Sequence, residues 1–564
     1  MRRGPAIILL LALLISAGYG TGRLLQEGQK RVTGFSPTHE RAARPATGLP
    51  PLAQRLVLVL VEGLQPDDVR MLPSLDWLAQ KGASLRLTVP EPGYTMPSTA
   101  TLLTGASPST HGILLAPGPG QGLATDNLVA AAKRVKYKTG GAGGAALGNL
   151  LAGQVDQWQT ADSLDKLREL ATPLLASNGP RLVLLQTDYL KREGLRLHTT
   201  DRNDALYRQS LAGLDAQLAA LMEQVDWNST AFIVAGLAPG GSPEAATVPM
   251  LLAGPGVTPA YRGTAFLTDL APTVAAVLGT PVPMAAEGAP LLDALSMTGR
   301  PADLVTQKAL ESRRAFTEAA LLAMGSQEIP PDPPAEAADA PTYKQQLDQL
   351  LRTARFASWK ASLLAIAPYA AGALLAVLLY LILVWRHFGG PAFVGTLTYG
   401  ALFHVIFFLT GGRYSFAMPG LDAPDARLVW TMAGRAAAAM AVATIITGHL
   451  MARRGVKKRA YVATAAYHMA LSTALVVALP VAGALAMTGW EFPVTLPSPR
   501  LIIWFFVAGL QVMAIGYLSP VWAVLAVSSA SVSRRFWPPK EIGDPERNAD
   551  KVVRMKALKR QAKR

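Results

Sequence analysis

No cysteine occurs in the 564 residues, so disulfides, thiolate metal sites and cysteine nucleophiles are excluded, while an oxidising compartment is permitted without being indicated. Histidine is also scarce, at seven. Four of these (His387, His404, His449 and His468) fall in or beside long apolar runs, which leaves His39, His111 and His198 for the rest of the chain. Acidic side chains are few as well: 38 Asp and Glu against 53 Lys and Arg, a formal net charge of +15. The basic excess is not laid out as a nucleic-acid face, and no nucleic-acid partner is expected. It gathers beside apolar runs, with eleven Lys/Arg against four Asp/Glu in residues 531–564, as in segments held on the cytoplasmic side of a membrane. What the chain has in quantity is apolar surface, 50% of its residues, with a mean hydropathy of +0.26. That is too apolar for an ordinary soluble enzyme and too long for one domain, so a membrane part and a soluble part are expected.

Arg2 and Arg3 precede a short apolar run at residues 6–17 and the small residues SAGYGTG, which reads as a cleaved signal peptide or an uncleaved signal anchor within residues 1–22. Residues 23–54 are polar and aperiodic, a tether. From residue 55 to 295 short apolar runs such as RLVLVLV, ASLRLTV, RLVLLQT, TAFIVAG and VPMLLAG alternate with helical patterns. That alternation predicts an α/β fold, a mostly parallel sheet sandwiched by helices. Residues 296–358 read as a helical, then Pro-rich linker around EIPPDPPAEAADAP. An all-α transmembrane domain is expected over 359–530, with spans at about 362–385, 392–410, 429–451, 462–490 and 501–530. A basic tail, 531–564, closes the chain. Placing the tail and the ARRGVKKR loop inside by the positive-inside rule puts the α/β domain outside the cell membrane, on a multi-pass protein.

Within the α/β part, residues 57–113 organise the rest. An apolar strand ends in Glu62 and Gly63, and a second extended run delivers Thr95 onto a Pro-primed helix start. Ligands of such sheets sit at the carboxyl ends of strands, where Glu62, Thr95 and Asp188 all fall. VEGLQPD, TMPSTATLLTGASPSTHGI, LLAGPGV and TDLAPTVAAVLGTPVP, in that order, resemble motifs of the type I phosphodiesterase/nucleotide pyrophosphatase branch of the alkaline phosphatase superfamily. The resemblance covers residues 55–295. It implies an alkaline phosphatase-like fold, a Thr or Ser nucleophile attacking phosphorus, and two zinc ions held by Asp and His residues.

Carried over position by position, Thr95 matches the nucleophile; the alternative is a helix N-cap. Glu62 stands where the family places its first metal-binding Asp, one methylene too long, and would otherwise cap the following loop. Asp188 matches the Asp of a D-x-x-x-G-H stretch, but here Lys191 and Arg192 bring positive charge to the cation's place. His198 is a shifted ligand or a surface histidine. The family's later Asp-His-Gly is replaced by LAPGGSPEAATVPM, and His111 matches a structural turn. One histidine does not serve a two-zinc site that uses three. The expected cofactor is therefore none, or a single oxygen-ligated divalent cation (Mg, Mn or Zn) on Glu62, Thr95 and Asp188.

Among membrane residues Arg435 lies well inside a span, to be paired with a lipid phosphate or an acidic group of another subunit; Arg413 and Arg427 are expected to snorkel. The expected function is a catalytically degenerate binding or scaffolding module at the cell envelope, with the lipid bilayer, a phosphate-bearing lipid or envelope ligand and unidentified proteins as partners. The alternative is an active metal-dependent phosphodiesterase or phosphotransferase using Thr95. The layout of external domain plus spans is similar to that of membrane phosphoethanolamine transferases.

Overall fold

The computed structural model describes residues 4–33, 49–115, 122–238, 246–416, 418, 426–488 and 499–537. Residues 34–48 of the expected tether, residues 239–245 of the stretch replacing the family's Asp-His-Gly, the loop 489–498 and the basic tail from 538 lie outside the described residues.

The strands are β1 (Arg55–Glu62), β2 (Ala83–Thr88), β3 (Thr139–Gly143), β4 (Gln157–Thr160), β5 (Leu182–Thr187), β6 (Thr230–Leu237), β7 (Thr247–Ala253) and β8 (Arg262–Phe266). They form one sheet in the order β4-β3-β5-β1-β6-β7-β2-β8, parallel except for β7, which runs against both β6 and β2. The helices of this part are α2 (Pro73–Lys81), α3 (Thr95–Thr104), α4 (Pro108–His111), α5 (Leu128–Arg134), α6 (Ala145–Leu150), α7 (Leu164–Leu175), α8 (Tyr189–Leu197), α9 (Ala205–Met222), α10 (Leu270–Leu278) and α11 (Arg300–Ala323). The expected α/β sandwich is what the chain forms.

β1 shows why the fold is legible in its sequence. Successive strand side chains point to opposite faces. Leu56, Leu58 and Leu60 join the core that includes α10 residues Leu270, Val274 and Val277, while Val57, Val59 and Val61 join the one that includes Leu75, Leu78, Leu211 and Leu214 of α2 and α9. Both faces are dry, so the strand carries no alternation of polar residues. Its C-terminal residue, Glu62, is polar and is buried like the apolar residues before it.

The membrane helices are α1 (Gly4–Thr33), α12 (Ala340–Leu409), α13 (Ala426–Arg453), α14 (Arg459–Thr488), α15 (Pro499–Tyr517) and α16 (Ser519–Phe536). Three features differ from the expectation. First, α1 continues eleven residues past Gly22 into the expected tether, and its stretch Pro5–Gly28 is long and apolar enough to span. It packs on α15 through glycines: a Cβ on Gly516 would meet the Leu14 carbonyl at 2.5 Å and the Gly18 Cα at 2.9 Å. Second, the single run expected at 501–530 is two helices bent by 63° at Leu518, where Pro520 in the first turn of α16 lacks a backbone N–H. Trp522 Nε1 donates across the break to the Ile515 carbonyl at 3.0 Å.

Third, residues 340–409 are helical throughout, with no coil between the linker helix and the two runs expected as separate spans. A straight helix of that length would measure about 105 Å and set Tyr380 about 24 Å from Thr396 along its axis. Yet Tyr380 Oη lies 2.9 Å from His468 Nδ1 and Thr396 Oγ1 3.1 Å from Thr473 Oγ1. Those two α14 residues are only about 7.5 Å apart along their axis. The helix therefore doubles back, with Pro391, which has no N–H to give, at the elbow. Both of its ends accordingly reach the α/β domain. Lys344 Nζ donates to the carbonyls of Glu287 and Gly288, and the loop after Leu409 touches Tyr94. The Pro-rich linker is pinned between: the Pro331 carbonyl accepts from Tyr343 Oη at 2.7 Å and Arg314 Nε at 3.1 Å, and Pro334 accepts from Gln307.

Candidate active site

The carboxylate that ends β1 is buried, 5% exposed, and fully engaged. Glu62 Oε2 accepts from Thr95 Oγ1 at 2.7 Å, and Glu62 Oε1 accepts from Gln186 Nε2 at 2.5 Å. The Lys191 ammonium lies 3.5 Å from Oε2, the same oxygen that holds Thr95. Burial pushes the Glu62 carboxyl above its ordinary range, against the opposing pull of Lys191 and the Thr95 hydrogen bond; the nearby charge of Asp188 adds to the rise.

Local sequence explains each placement. Gln186 is the penultimate residue of β5, paired in register with Leu60 of the neighbouring β1, and its Oε1 is fixed by the Gly144 N–H at 3.0 Å. Gly63 takes a left-handed φ of 87°, and a Cβ there would meet the Lys191 backbone nitrogen at 3.4 Å, so glycine lets the first turn of α8 pack behind Glu62 and bring Lys191 over it. Thr95 is the first residue of α3, and the N-cap is Tyr94. Thr95 thus makes no cap; its hydroxyl points to Glu62. Nor does Glu62 cap the following loop, since the Gln65 N–H is taken by Asp68.

The remaining expected site residues lie apart. Asp188 is half exposed and its Oδ1 pairs with Arg192 Nε at 2.8 Å. His198 is exposed beyond the end of α8, in a left-handed conformation that closes the helix. It stands about 15 Å along the helix axis from Asp188, so the helix carries it away from the site. His111 is a buried structural group: Nδ1 accepts from the Ile113 N–H, Nε2 meets Thr101 Oγ1 at 3.0 Å, and burial pushes it down to about 3. Arg435 Nη2 donates to the Thr410 carbonyl at 2.7 Å, closing the end of α12, and its guanidinium lies 5.6 Å from the Phe407 ring centre.

Among the described residues no three of Asp, Glu and His come together. The donors present do not fit a two-metal centre. An ammonium already occupies the cation's side of Glu62, and Asp188 faces its own arginine. Two participants escaped the sequence reading: Gln186, one polar residue in an apolar strand, and Tyr94, whose hydroxyl donates to the Phe416 carbonyl and whose ring packs with the membrane helices.

Residues 56–115 match the family model described as type I phosphodiesterase / nucleotide pyrophosphatase. No curated protein matches the chain. Among solved structures, a protein of the alkaline phosphatase superfamily from Vibrio parahaemolyticus is similar at 16% identity over 47% of this chain and 78% of that one, with a TM-score of 0.35. Human ectonucleotide pyrophosphatase / phosphodiesterase 5 is similar at 14% identity over 43% of this chain and all of that one, TM-score 0.36. A lipoteichoic acid synthase from Listeria monocytogenes is similar at 14% over 44% and 78%, TM-score 0.31.

Proposed function

We propose that this chain is a multi-pass membrane protein whose extracytoplasmic α/β domain binds a phosphate-bearing lipid or envelope ligand, the Lys191 ammonium standing where a divalent cation would. One observation carries the reading: Lys191 Nζ is 3.5 Å from the Glu62 oxygen that also holds Thr95. A metal ion at that oxygen has to displace a cation built into α8. Without metals to stabilise the attacking and leaving oxygens, phosphate bound against Lys191 and the N-terminal turn of α3 is held and not turned over.

A lipid-borne ligand is supported by the side of the sheet on which these groups lie. Glu62, Thr95 and Asp188 all stand at the carboxyl edge, and on that edge Tyr94 meets Phe416 of the loop closing α12. The edge therefore faces the membrane helices. The test is binding of glycerol phosphate to the full-length protein in detergent by calorimetry. Lys191→Met is expected to weaken it at least tenfold while Arg192→Met does not; equal affinity in wild type and Lys191→Met contradicts the reading.

The 2.7 Å hydrogen bond from Thr95 to a carboxylate of raised pKa favours one second reading. In it Thr95 Oγ attacks phosphorus, Glu62 takes the hydroxyl proton, and the leaving alcohol takes its proton from Lys191. Phosphoryl transfer abolished by Thr95→Ala and insensitive to chelators would establish that reading over the first.

A further inference from the structure

The turn between α13 and α14 presents a second group of cations, far from Glu62. Residues 453–459 read RRGVKKR, five Lys or Arg in seven residues. No Asp or Glu occurs anywhere from residue 426 to 490, and among the described residues none of these five makes an ion pair. A merely solvated charged turn would be open on all sides. This one walls a cavity of about 350 Å³ lined by Met451, Arg454, Val456, Lys457, Lys458 and Tyr461.

Neighbouring helices hold the cavity's shape. Arg534 Nη1, near the end of α16, donates to the Val456 carbonyl at 2.7 Å. The Arg454 guanidinium lies against Gly390 beside the elbow of α12, so close that a Cβ there would meet it at 2.1 Å. Met451 is buried and forms an apolar floor with Val456 and the Tyr461 ring. Three cations over an apolar floor, at the end of a helix bundle and with no carboxylate paired to them among the described residues, match an amphiphile with an anionic head.

We propose that this cavity binds the headgroup of an anionic phospholipid from the leaflet on its side of the membrane, independently of the Glu62 site and of any activity there. Phosphate contacts come from Arg454, Lys457 and Lys458, and the glycerol and upper acyl carbons rest on Met451 and Tyr461. A lipid on this turn also buttresses the α12 elbow through Arg454.

The test uses the full-length protein in nanodiscs of phosphatidylcholine with a tracer of fluorescent phosphatidylglycerol, at about 150 mM salt so that diffuse attraction is screened. Replacing both Lys457 and Lys458 with Gln is expected to weaken tracer binding about thirty-fold, from roughly a five-fold loss for each cation at a membrane surface. Lys457→Arg/Lys458→Arg restores it, and Lys136→Gln/Lys138→Gln, the same charge change on the α/β domain, leaves it unaltered. Melting temperatures of the variants separate loss of binding from loss of fold. The proposal is overturned if the Gln pair binds like wild type, if the Lys136/Lys138 control falls equally, or if millimolar inorganic phosphate displaces the tracer completely, which would mark a soluble anion as the occupant.

Discussion

The phenolic hydroxyl of Tyr94 donates to the backbone carbonyl of Phe416, and their rings meet edge to face with centroids 6.0 Å apart. One residue further on, Thr95 donates to Glu62. A loop of the membrane domain is thus tied to the residue that caps the candidate site's helix. Edge-to-face aromatic pairs contribute about 0.5–1.5 kcal/mol beyond buried area, and contacting residues are non-additive. In a double-mutant cycle of Tyr94→Ala and Phe416→Ala, read by unfolding in mild detergent, we expect a coupling of about 1 kcal/mol; additive losses would mean that the contact does not form.

His111 sets the acid limit of the α/β domain. Its folded value, about 3, lies below the ordinary 6.5, because burial penalises the imidazolium. As pH falls the unfolded chain takes up this proton first. Stability is therefore full above about 6.5 and is lost progressively between 6.5 and 3, by at most on the order of 5 kcal/mol. His111→Gln is expected to be less stable at pH 7 and to show a flatter acid limb. An unchanged acid limb in that variant would show that other groups drive the loss.

Glu62 titrates in the opposite sense. Its folded pKa is raised above the ordinary 4.5, so the protonated form is favoured on folding and this contribution is lost as pH rises through the folded value. A neutral Glu62 also repels a bound phosphodiester less. Affinity for a phosphodiester, whose own charge is constant in this region, is expected to rise as pH falls through the raised folded value of Glu62 in the wild type and to stay level in Glu62→Gln. A level wild-type profile would mean that Glu62 does not face the ligand.

Much of this was legible in sequence, and what was hidden has physical reasons. The β1 run announces a strand dry on both faces, and Glu62 and Thr95 announce a strand end and a helix start, because each is a local pattern. β4 and β8 are edge strands with largely exposed residues, so neither carries an apolar run. Gln186 and Tyr94 take their meaning from partners on other elements, Glu62 and Phe416, which no spacing reveals. Apolar length marks residues 501–530 as membrane-embedded but is blind to the bend at Leu518. The polar end of α1 stays helical as part of a helix packed along α15, where Gly28 lies against Phe505.

That packing makes the N-terminal helix part of the bundle. Gly516→Leu places a side chain on the Leu14 carbonyl and Gly18 Cα. We expect it to cost about 2–3 kcal/mol by overpacking, seen as a lower melting temperature in detergent. An N-terminal tag should remain on the membrane-extracted protein; its quantitative loss from folded material would contradict the packing of α1 on α15.

The central claim is that Lys191 takes the place of a metal ion. The most direct measurement is the divalent metal content of the full-length protein, purified without chelator and saturated with zinc, manganese or magnesium, for wild type and Lys191→Ala. The account predicts well below one tightly bound ion per chain in the wild type, with no metal-dependent hydrolysis of an activated phosphodiester. Two ions per wild-type chain, with turnover abolished by Thr95→Ala, would contradict it.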